Sequence, residues 1–231
     1  MPTATRPWFT SRTLAFLRDL AKNNDRDWFA ANKERYEEHV LDPALRFVAD
    51  FAPRLERVSP RFVADPRRSG GSLFRIHRDT RFAKDKSPYK TFVGIRFGHD
   101  AGRDVHAPCF YLHVEPKGSF AGMGIWRPDA PTLKRVRDAL VADPAAWKRA
   151  AHGRKLRGRF ELGGESLKRP PRGYDPDHPL ARDLRRKDFT AGAALADDVV
   201  TSPKVAAEVA RAFQAGAPLV RFLCDATGLP F

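Results

Sequence analysis

The sequence predicts an α+β fold with N-terminal helices, a central antiparallel sheet, and C-terminal helices packed on one sheet face. Apolar residues recur at helical spacing in the first and last thirds of the 231-residue chain, and they alternate with polar residues in the middle third. Short connections rich in glycine, proline and aspartate join the alternating segments, which favours antiparallel neighbours over helical crossovers. Since no internal repeat or low-complexity linker interrupts this pattern, we expect one domain over residues 1–231.

Each predicted helix begins at a residue whose side chain can accept a hydrogen bond from the first helical turn. These residues are Thr10 or Ser11, Asp25 or Asp27, Asp42, Asp129, Asp143 and Ser202. Pro53 falls inside the third helix and is expected to kink or shorten it. Residues 152–176 have the composition of a basic loop, and Leu219 to Leu223 are expected to form a final apolar turn.

Four segments show the alternation of β-strands: 73–79, 91–97, 109–115 and 119–126. In the first of them, Phe74 and Ile76 are expected on the apolar face. If the strands are neighbours, the opposite face collects Arg75, His77, Asp79, Arg96, Tyr111, His113 and Glu115. Simple exposure to solvent is one interpretation of such a face. Solvated strand faces favour Thr, Lys, Glu and Ser, however, so this composition indicates a functional site.

Residues 75–90 carry a high density of charge between apolar residues that indicate an ordered backbone. Arginine side chains in such a setting bind phosphate or carboxylate, or they form an internal ion-pair network with Asp79 and Asp85. The first alternative predicts a protein that binds an anionic ligand, either phosphate-bearing or nucleic acid. The predicted ligand-binding residues are Arg75, Arg78, Arg81, Asp85, Lys86, Tyr89 and Lys90.

The overall charge supports an acidic partner. The formal net charge of +14 at pH 7 suits nucleic acid or another anion, although a coding bias towards arginine would also produce it. Residues 152–176 interleave cations with Tyr174, as single-strand nucleic-acid binders do. The first residues lack the apolar core of a signal peptide and no run is long enough to span a bilayer, so we expect a cytoplasmic protein with no membrane partner.

The cysteines and loop histidines indicate neither a disulfide framework nor a metal site. Cys109 and Cys224 both lie in apolar patterns, which predicts buried thiols in a reducing compartment. His99 and His106 share a loop with acidic residues and are expected to be solvated. Because no H-x-x-x-H or paired C-x-x-C spacing occurs, we predict no metal and no cofactor.

Two further functions stay open. The protein can be an enzyme that acts on the same anionic ligand, with His77 or His113 as the acid–base group and Glu115 or Asp79 as the carboxylate that orients it. It can instead be a structural or interaction module in which residues 75–90 only form ion pairs.

The pattern R-x-x-R-D-x-R-F-x-x-D-K-x-x-Y comprises Arg75, Arg78, Asp79, Arg81, Phe82, Asp85, Lys86 and Tyr89. It resembles the signature of a bacterial family catalogued as domain of unknown function 2461. The resemblance continues, in order and over most of the chain, at Asn23-Asn24-Asp25, Gly124-Ile-Trp126 and Lys168-Arg169-Pro170-Pro171. It implies a stand-alone cytoplasmic domain and assigns no activity, cofactor or catalytic residue.

Overall fold

The computed structural model describes residues 6–101, 107–154, 156, 158 and 160–231. Its N-terminal helices are α1 (Ser11–Lys22), α2 (Arg26–Ala31), α3 (Lys33–Tyr36) and α4 (Asp42–Glu56), with a π-helical turn at Glu37–Leu41. The later helices are α5 (Ala130–Ala142), α6 (Pro144–His152), α7 (Ala181–Leu184), α8 (Asp197–Val200) and α9 (Val205–Thr227). The predicted capping side chains are confirmed at Asp25, Asp129 and Asp143, each of which accepts a hydrogen bond from the backbone N–H three residues later.

Three predicted helix boundaries are wrong. Ser202 does not cap α9, which begins at Val205 directly after Lys204. Asp42 is not a cap, because its backbone is helical and the chain continues from the π-helical turn directly into α4. Leu219 to Leu223 are not a separate turn but part of α9, which continues past Pro218 to Thr227. Buried apolar side chains on both sides of Pro218 pack into the same core, and their burial outweighs the one backbone hydrogen bond that proline removes.

The strands in the described part of the chain form one antiparallel sheet. They are β1 (Phe62–Val63), β2 (Val93–His99), β3 (Cys109–Val114), β4 (Phe120–Ile125), β5 (Glu161–Gly163) and β6 (Phe189–Ala194). Their order across the sheet is β1-β2-β3-β4-β6-β5. The segments predicted at 91–97, 109–115 and 119–126 are confirmed as β2, β3 and β4, while β5 lies inside the stretch that resembles a loop in the sequence.

Residues 73–79 do not form the predicted strand. Isolated bridges at Leu73 and His77 replace a continuous ladder in this segment. Ile76 is buried, whereas Phe74, expected on the same face, is 42% exposed. The expected alternation of faces therefore fails within this segment.

Local hydrogen bonds turn the chain at the end of this segment. Asp79 accepts from the backbone N–H of Arg81 at 3.2 Å, and Asp85 accepts from that of Ser87 at 2.9 Å. Short polar side chains that bond to nearby backbone in this way favour turns over regular strands. Residues 73–90 are therefore an irregular hairpin, called the basic hairpin below.

Helices α4 and α9 cover one face of the sheet. Phe51 of α4 and Phe213 of α9 lie with their ring centroids 5.7 Å apart, and both rings contact Phe97 of β2. Helix α9 approaches β4 so closely that a Cβ atom on Gly216 would overlap the Sδ atom of Met123. The predicted packing of helices on one sheet face is thus confirmed. None of the described helices, α9 included, is long and apolar enough to cross a membrane.

His99 is not the solvated loop residue that the sequence suggests. It is the last residue of β2 and is buried, with its ring 5.3 Å from that of Phe62. Its Nε2 atom lies 2.6 Å from the carbonyl oxygen of Pro230, so the C-terminal end of the chain covers it. His106 lies outside the described residues.

Candidate functional site

The tip of the basic hairpin pairs its arginines with its own carboxylates. Arg81 donates to Asp79 through Nε at 3.0 Å and through Nη2 at 2.7 Å, and Arg78 donates to Asp85. The hydrogen bonds from Arg81 lower the pKa of Asp79 to about 2. Hydrogen bonds from Ser87, and then from Arg78, lower the pKa of Asp85. Because the side chains of Arg81 and Asp85 are 77% and 63% exposed, each pair has a member at the surface and the two do not form a buried network.

A second group of cations lies at the base of the basic hairpin. The Nζ atom of Lys90 donates to the carbonyl oxygens of Arg75 and His77, at 2.6 Å each. Burial, followed by the nearby guanidinium groups of Arg75 and Arg78, lowers the pKa of Lys90. Among the described residues, no carboxylate forms an ion pair with Arg75 or Lys90. Positive charge is therefore concentrated here. The nearest compensation for Arg75 is the charge of Asp79, which is already hydrogen-bonded to Arg81.

Two other predicted ligand-binding residues make contacts within the fold. Lys86 donates through Nζ to the carbonyl oxygen of Thr80 at 2.9 Å. Tyr89 is buried, and its ring stacks on that of Phe29 with centroids 4.1 Å apart. The side-chain amide of Asn24 brackets Tyr89, accepting from its N–H at 3.0 Å and donating to its carbonyl oxygen at 2.9 Å. Tyr89 therefore anchors the basic hairpin to the connection between α1 and α2.

The sheet face opposite α4 and α9 carries a layer of rings, called the aromatic face below. Its members are Phe74, Phe92, Tyr111, His113 and Phe120. The imidazole of His113 is stacked between Phe92 and Phe120, with ring centroids 4.3 Å and 4.8 Å away. The rings of Phe74 and Phe120 lie 6.0 Å and 5.8 Å from that of Tyr111. Aromatic side chains thus accompany the polar ones that the sequence places on this face.

A glycine beneath these rings makes their arrangement possible. A Cβ atom on Gly94 would lie 2.7 Å from the hydroxyl of Tyr111 and 3.0 Å from the ring of Phe74. Since side chains do not pack that closely, the Tyr111 hydroxyl occupies its place because β2 has a glycine beneath it, in register with His113.

Three side chains on the aromatic face form a hydrogen-bonded chain, called the relay below. Tyr111, His113 and Glu115 are spaced by two residues from β3 onwards, and this spacing places them on one face. The hydroxyl of Tyr111 lies 3.1 Å from Nδ1 of His113, and Nε2 of His113 lies 3.2 Å from Oε2 of Glu115. Because a carboxylate only accepts, Nε2–H donates to Glu115, and Nδ1 is left to accept from Tyr111.

Burial sets the protonation of the relay. It lowers the pKa of His113, and the hydrogen bond and charge of Glu115 oppose this shift only in part. Burial also raises the pKa of Tyr111. Near neutral pH the relay therefore contains a neutral imidazole and a protonated phenol. Such a pair can accept a proton at Tyr111 and pass another on to Nδ1 of His113.

The structure separates the predicted acid–base residues into two groups. His113 and Glu115 are hydrogen-bonded to each other, whereas His77 and Asp79 lie in the basic hairpin, where the His77 ring is 5.3 Å from that of Tyr89. The sequence pattern places Tyr111 on the polar face but assigns its hydroxyl no part in acid–base chemistry. The signal that finds it is its position two residues before His113 on an alternating strand.

The basic stretch 152–176 contributes exposed positive charge, but its tyrosine is hydrogen-bonded to another part of the fold. The hydroxyl of Tyr174 donates to Asp138 on α5 at 2.8 Å, and burial, followed by this carboxylate, raises the pKa of Tyr174 to about 12. Lys168 and Arg172 are exposed. Within the described residues, no group of three or more His, Cys, Asp or Glu side chains could hold a metal ion.

These features define a class of protein: an α+β fold whose antiparallel sheet is covered by helices on one face and carries its candidate site on the other. The chain belongs to the family DUF2461, described as a conserved hypothetical protein, and the family model matches residues 12–222. The match runs from α1 into α9 and includes the basic hairpin and the aromatic face. No curated protein and no solved structure matches the chain.

Proposed function

We propose that this protein binds a phosphate-bearing ligand at the base of the basic hairpin. The observation that carries the proposal is the convergence of Arg75, Arg78 and Lys90, of which only Arg78 has a carboxylate partner among the described residues. Holding like charges together is unfavourable in the free protein, and an anion that binds between them relieves the repulsion. The pairs at the hairpin tip are already neutralised and are peripheral to this site.

The aromatic face extends the site and narrows the class of ligand. Phe74 directly precedes Arg75, and Phe92 follows Lys90 by two residues, so rings and cations border each other along the chain. Rings on an open antiparallel sheet stack on nucleobases, while neighbouring cations contact phosphates. Phe74 is 42% exposed and is the ring most available for such stacking. The ligand that fits both features is a nucleotide or single-stranded nucleic acid.

The test is the binding of a fluorescein-labelled single-stranded oligothymidine, measured by anisotropy from low to moderate salt. Each phosphate contact adds to the salt dependence, so Arg75→Ala/Lys90→Ala should reduce the slope of log K against log salt by about two. The matched control is Lys148→Ala/Arg149→Ala, which removes the same charge from an exposed part of α6. An equal reduction of this slope in both variants would show that binding depends only on net charge. Absence of binding even at low salt would exclude nucleic acid, and a titration with ADP then tests the small-ligand version.

A second candidate function is an enzyme that acts on the same ligand, and the relay favours it. A hydroxyl group of the ligand, or a water molecule bound beside the ligand, gives its proton to the oxygen of Tyr111. At the same time the phenolic proton of Tyr111 moves to Nδ1 of His113. The imidazolium that forms is stabilised by Glu115, in the manner of a catalytic triad. The activated oxygen then attacks the phosphorus and the bond from phosphorus to the leaving oxygen breaks. That oxygen takes the proton of Tyr111, and the proton held on Nδ1 of His113 returns to the phenolate.

Hydrolysis of bis(p-nitrophenyl) phosphate, followed by release of nitrophenolate, tests this second function. His113→Gln and Tyr111→Phe should abolish turnover while oligothymidine binding persists. The matched control is His77→Gln, which changes a histidine outside the relay. If turnover persists in His113→Gln but is lost in His77→Gln, the acid–base group is His77 of the basic hairpin. No turnover by the unaltered protein would leave ligand binding as the function.

A further inference from the structure

A cavity of about 330 Å³ opens between α6, α7 and β5, on elements other than those of the basic hairpin and the aromatic face. Leu156, Phe160 and Leu162 give it an apolar lining. Four ionisable side chains besides Asp183 also line it: His152, Glu161, Arg182 and Arg186. A cavity of this size that combines apolar surface with convergent ionisable side chains has the composition of a small-molecule site.

Asp183 orders the polar side of this cavity. It is 5% exposed and accepts three hydrogen bonds, from Nε1 of Trp147 at 2.9 Å, from Nε of Arg186 at 2.9 Å and from Nε2 of His152 at 3.0 Å. The carboxylate thereby fixes the imidazole with Nε2–H towards itself, which leaves Nδ1 of His152 for another partner.

Arg186 has N–H groups that the hydrogen bonds of the described residues do not use. Its side chain is nine-tenths buried, Nε donates to Asp183, and Nη1 donates to the carbonyl oxygen of Gly163 at 3.2 Å. The Nη2 atom has no hydrogen-bond partner among the residues that the structure describes. A buried guanidinium N–H without a partner is unfavourable, and a ligand oxygen in the cavity would satisfy it.

The remaining charges indicate a ligand that carries both signs. The charge of Asp183 is matched by Arg186, while Arg182 and Glu161 are exposed members of the lining with no ion pair to each other. A ligand with only a carboxylate would make no use of Glu161, and one with only an ammonium would make no use of Arg182. A ligand bearing both groups beside an apolar body suits all the lining residues.

We infer that this cavity binds an α-amino acid with an apolar side chain. Its carboxylate meets Arg186 and Arg182, its ammonium meets Glu161, and its side chain lies against Leu156 and Phe160. This site and the proposed phosphate site share no residues, so each can be tested without the other.

Three probes of matched shape test the inference: L-phenylalanine, phenylacetate, which lacks the ammonium, and phenethylamine, which lacks the carboxylate. Binding is followed through the NMR signals of the His152 ring. L-Phenylalanine should give a saturable shift, and each of the other two probes should bind roughly tenfold more weakly or worse, since each loses a charge-assisted contact. Equal binding of either partial probe, or no saturable shift with L-phenylalanine, would overturn the inference.

Variants at the rim of the cavity separate binding from folding. Arg182→Ala and Glu161→Gln should each weaken L-phenylalanine binding by roughly tenfold, because both side chains are exposed and neither supports the core. Arg149→Ala, on the same helix as His152 but outside the lining, should bind normally. Unchanged affinity in both rim variants, with unchanged Tm, would refute the assignment.

Discussion

Replacement of Asp183 by alanine should be among the most destabilising single changes in this chain. The carboxylate is 5% exposed and is the shared acceptor of Trp147, His152 and Arg186. Its removal leaves the guanidinium of Arg186, itself 8% exposed, without its charge partner. Removing one partner from a buried ion pair typically costs about 3–5 kcal/mol of unfolding free energy. For a chain of this length that corresponds to a Tm lower by roughly 6–20 °C.

Urea unfolding followed by circular dichroism measures this loss at constant m-value. Asp177→Ala is the matched control, because that carboxylate is exposed and should change stability by less than about 0.5 kcal/mol. The double variant Asp183→Ala/Arg186→Ala should lose less than the sum of the single losses, since the two changes remove one shared interaction. A loss below about 1 kcal/mol in Asp183→Ala would refute the view that this carboxylate compensates a buried charge.

The same carboxylate predicts a pH dependence. Burial acts to raise the pKa of Asp183, but hydrogen bonds from Trp147, Arg186 and His152 outweigh it and lower the pKa. A folded-state pKa below the unfolded one means that the stabilisation is complete above the unfolded value of about 4 and is lost as the pH falls through the folded one. The stability difference between the unaltered protein and Asp183→Ala should therefore narrow in acid.

Three further predictions test other parts of the structure. Arg78→Ala should leave Tm almost unchanged, because the pair with Asp85 is at the surface; a large fall would show that the basic hairpin depends on it. Gly216→Ala should destabilise the protein by about 1–3 kcal/mol in urea, since the added methyl overlaps Met123, and an unchanged midpoint would contradict that packing. Glu115→Gln should lower the pKa of the relay histidine in an NMR titration, because the carboxylate is what raises it; a rise would contradict the relay.

The sequence pattern predicts the sheet best where two faces have different chemistry. Ile95 and Leu112 alternate with polar or small residues, and the structure places both against the helices with the predicted neighbours beside them. Alternation fails at Phe74, which is exposed although its N–H still donates to the carbonyl oxygen of Gly94, and the segment then turns at the Asx-type bonds of Asp79 and Asp85. Each of these bonds joins a side chain to the backbone N–H two residues later, and a pattern of alternating hydrophobicity does not register such bonds.

Sequence patterns do not predict sites that form from segments far apart in the chain. His152 and Asp183 are 31 residues apart and carry no motif spacing, yet they share a hydrogen bond in the folded chain. The relay is different, because its three members follow one strand at a spacing of two. The candidate site on β3 could therefore be predicted from the sequence, while the cavity beside α7 required the fold.

The outermost strands of the sheet are its shortest, with two residues in β1 and three in β5. Beyond β1, the outer edge of β2 is occupied by the chain itself, because Phe74 donates to the carbonyl oxygen of Gly94 and Arg96 donates to that of Ser72. Since its N–H and C=O groups are used in this way, that edge gives another chain little backbone to pair with, which protects it against edge-to-edge aggregation. A partner that approaches this sheet is thereby directed to its side chains.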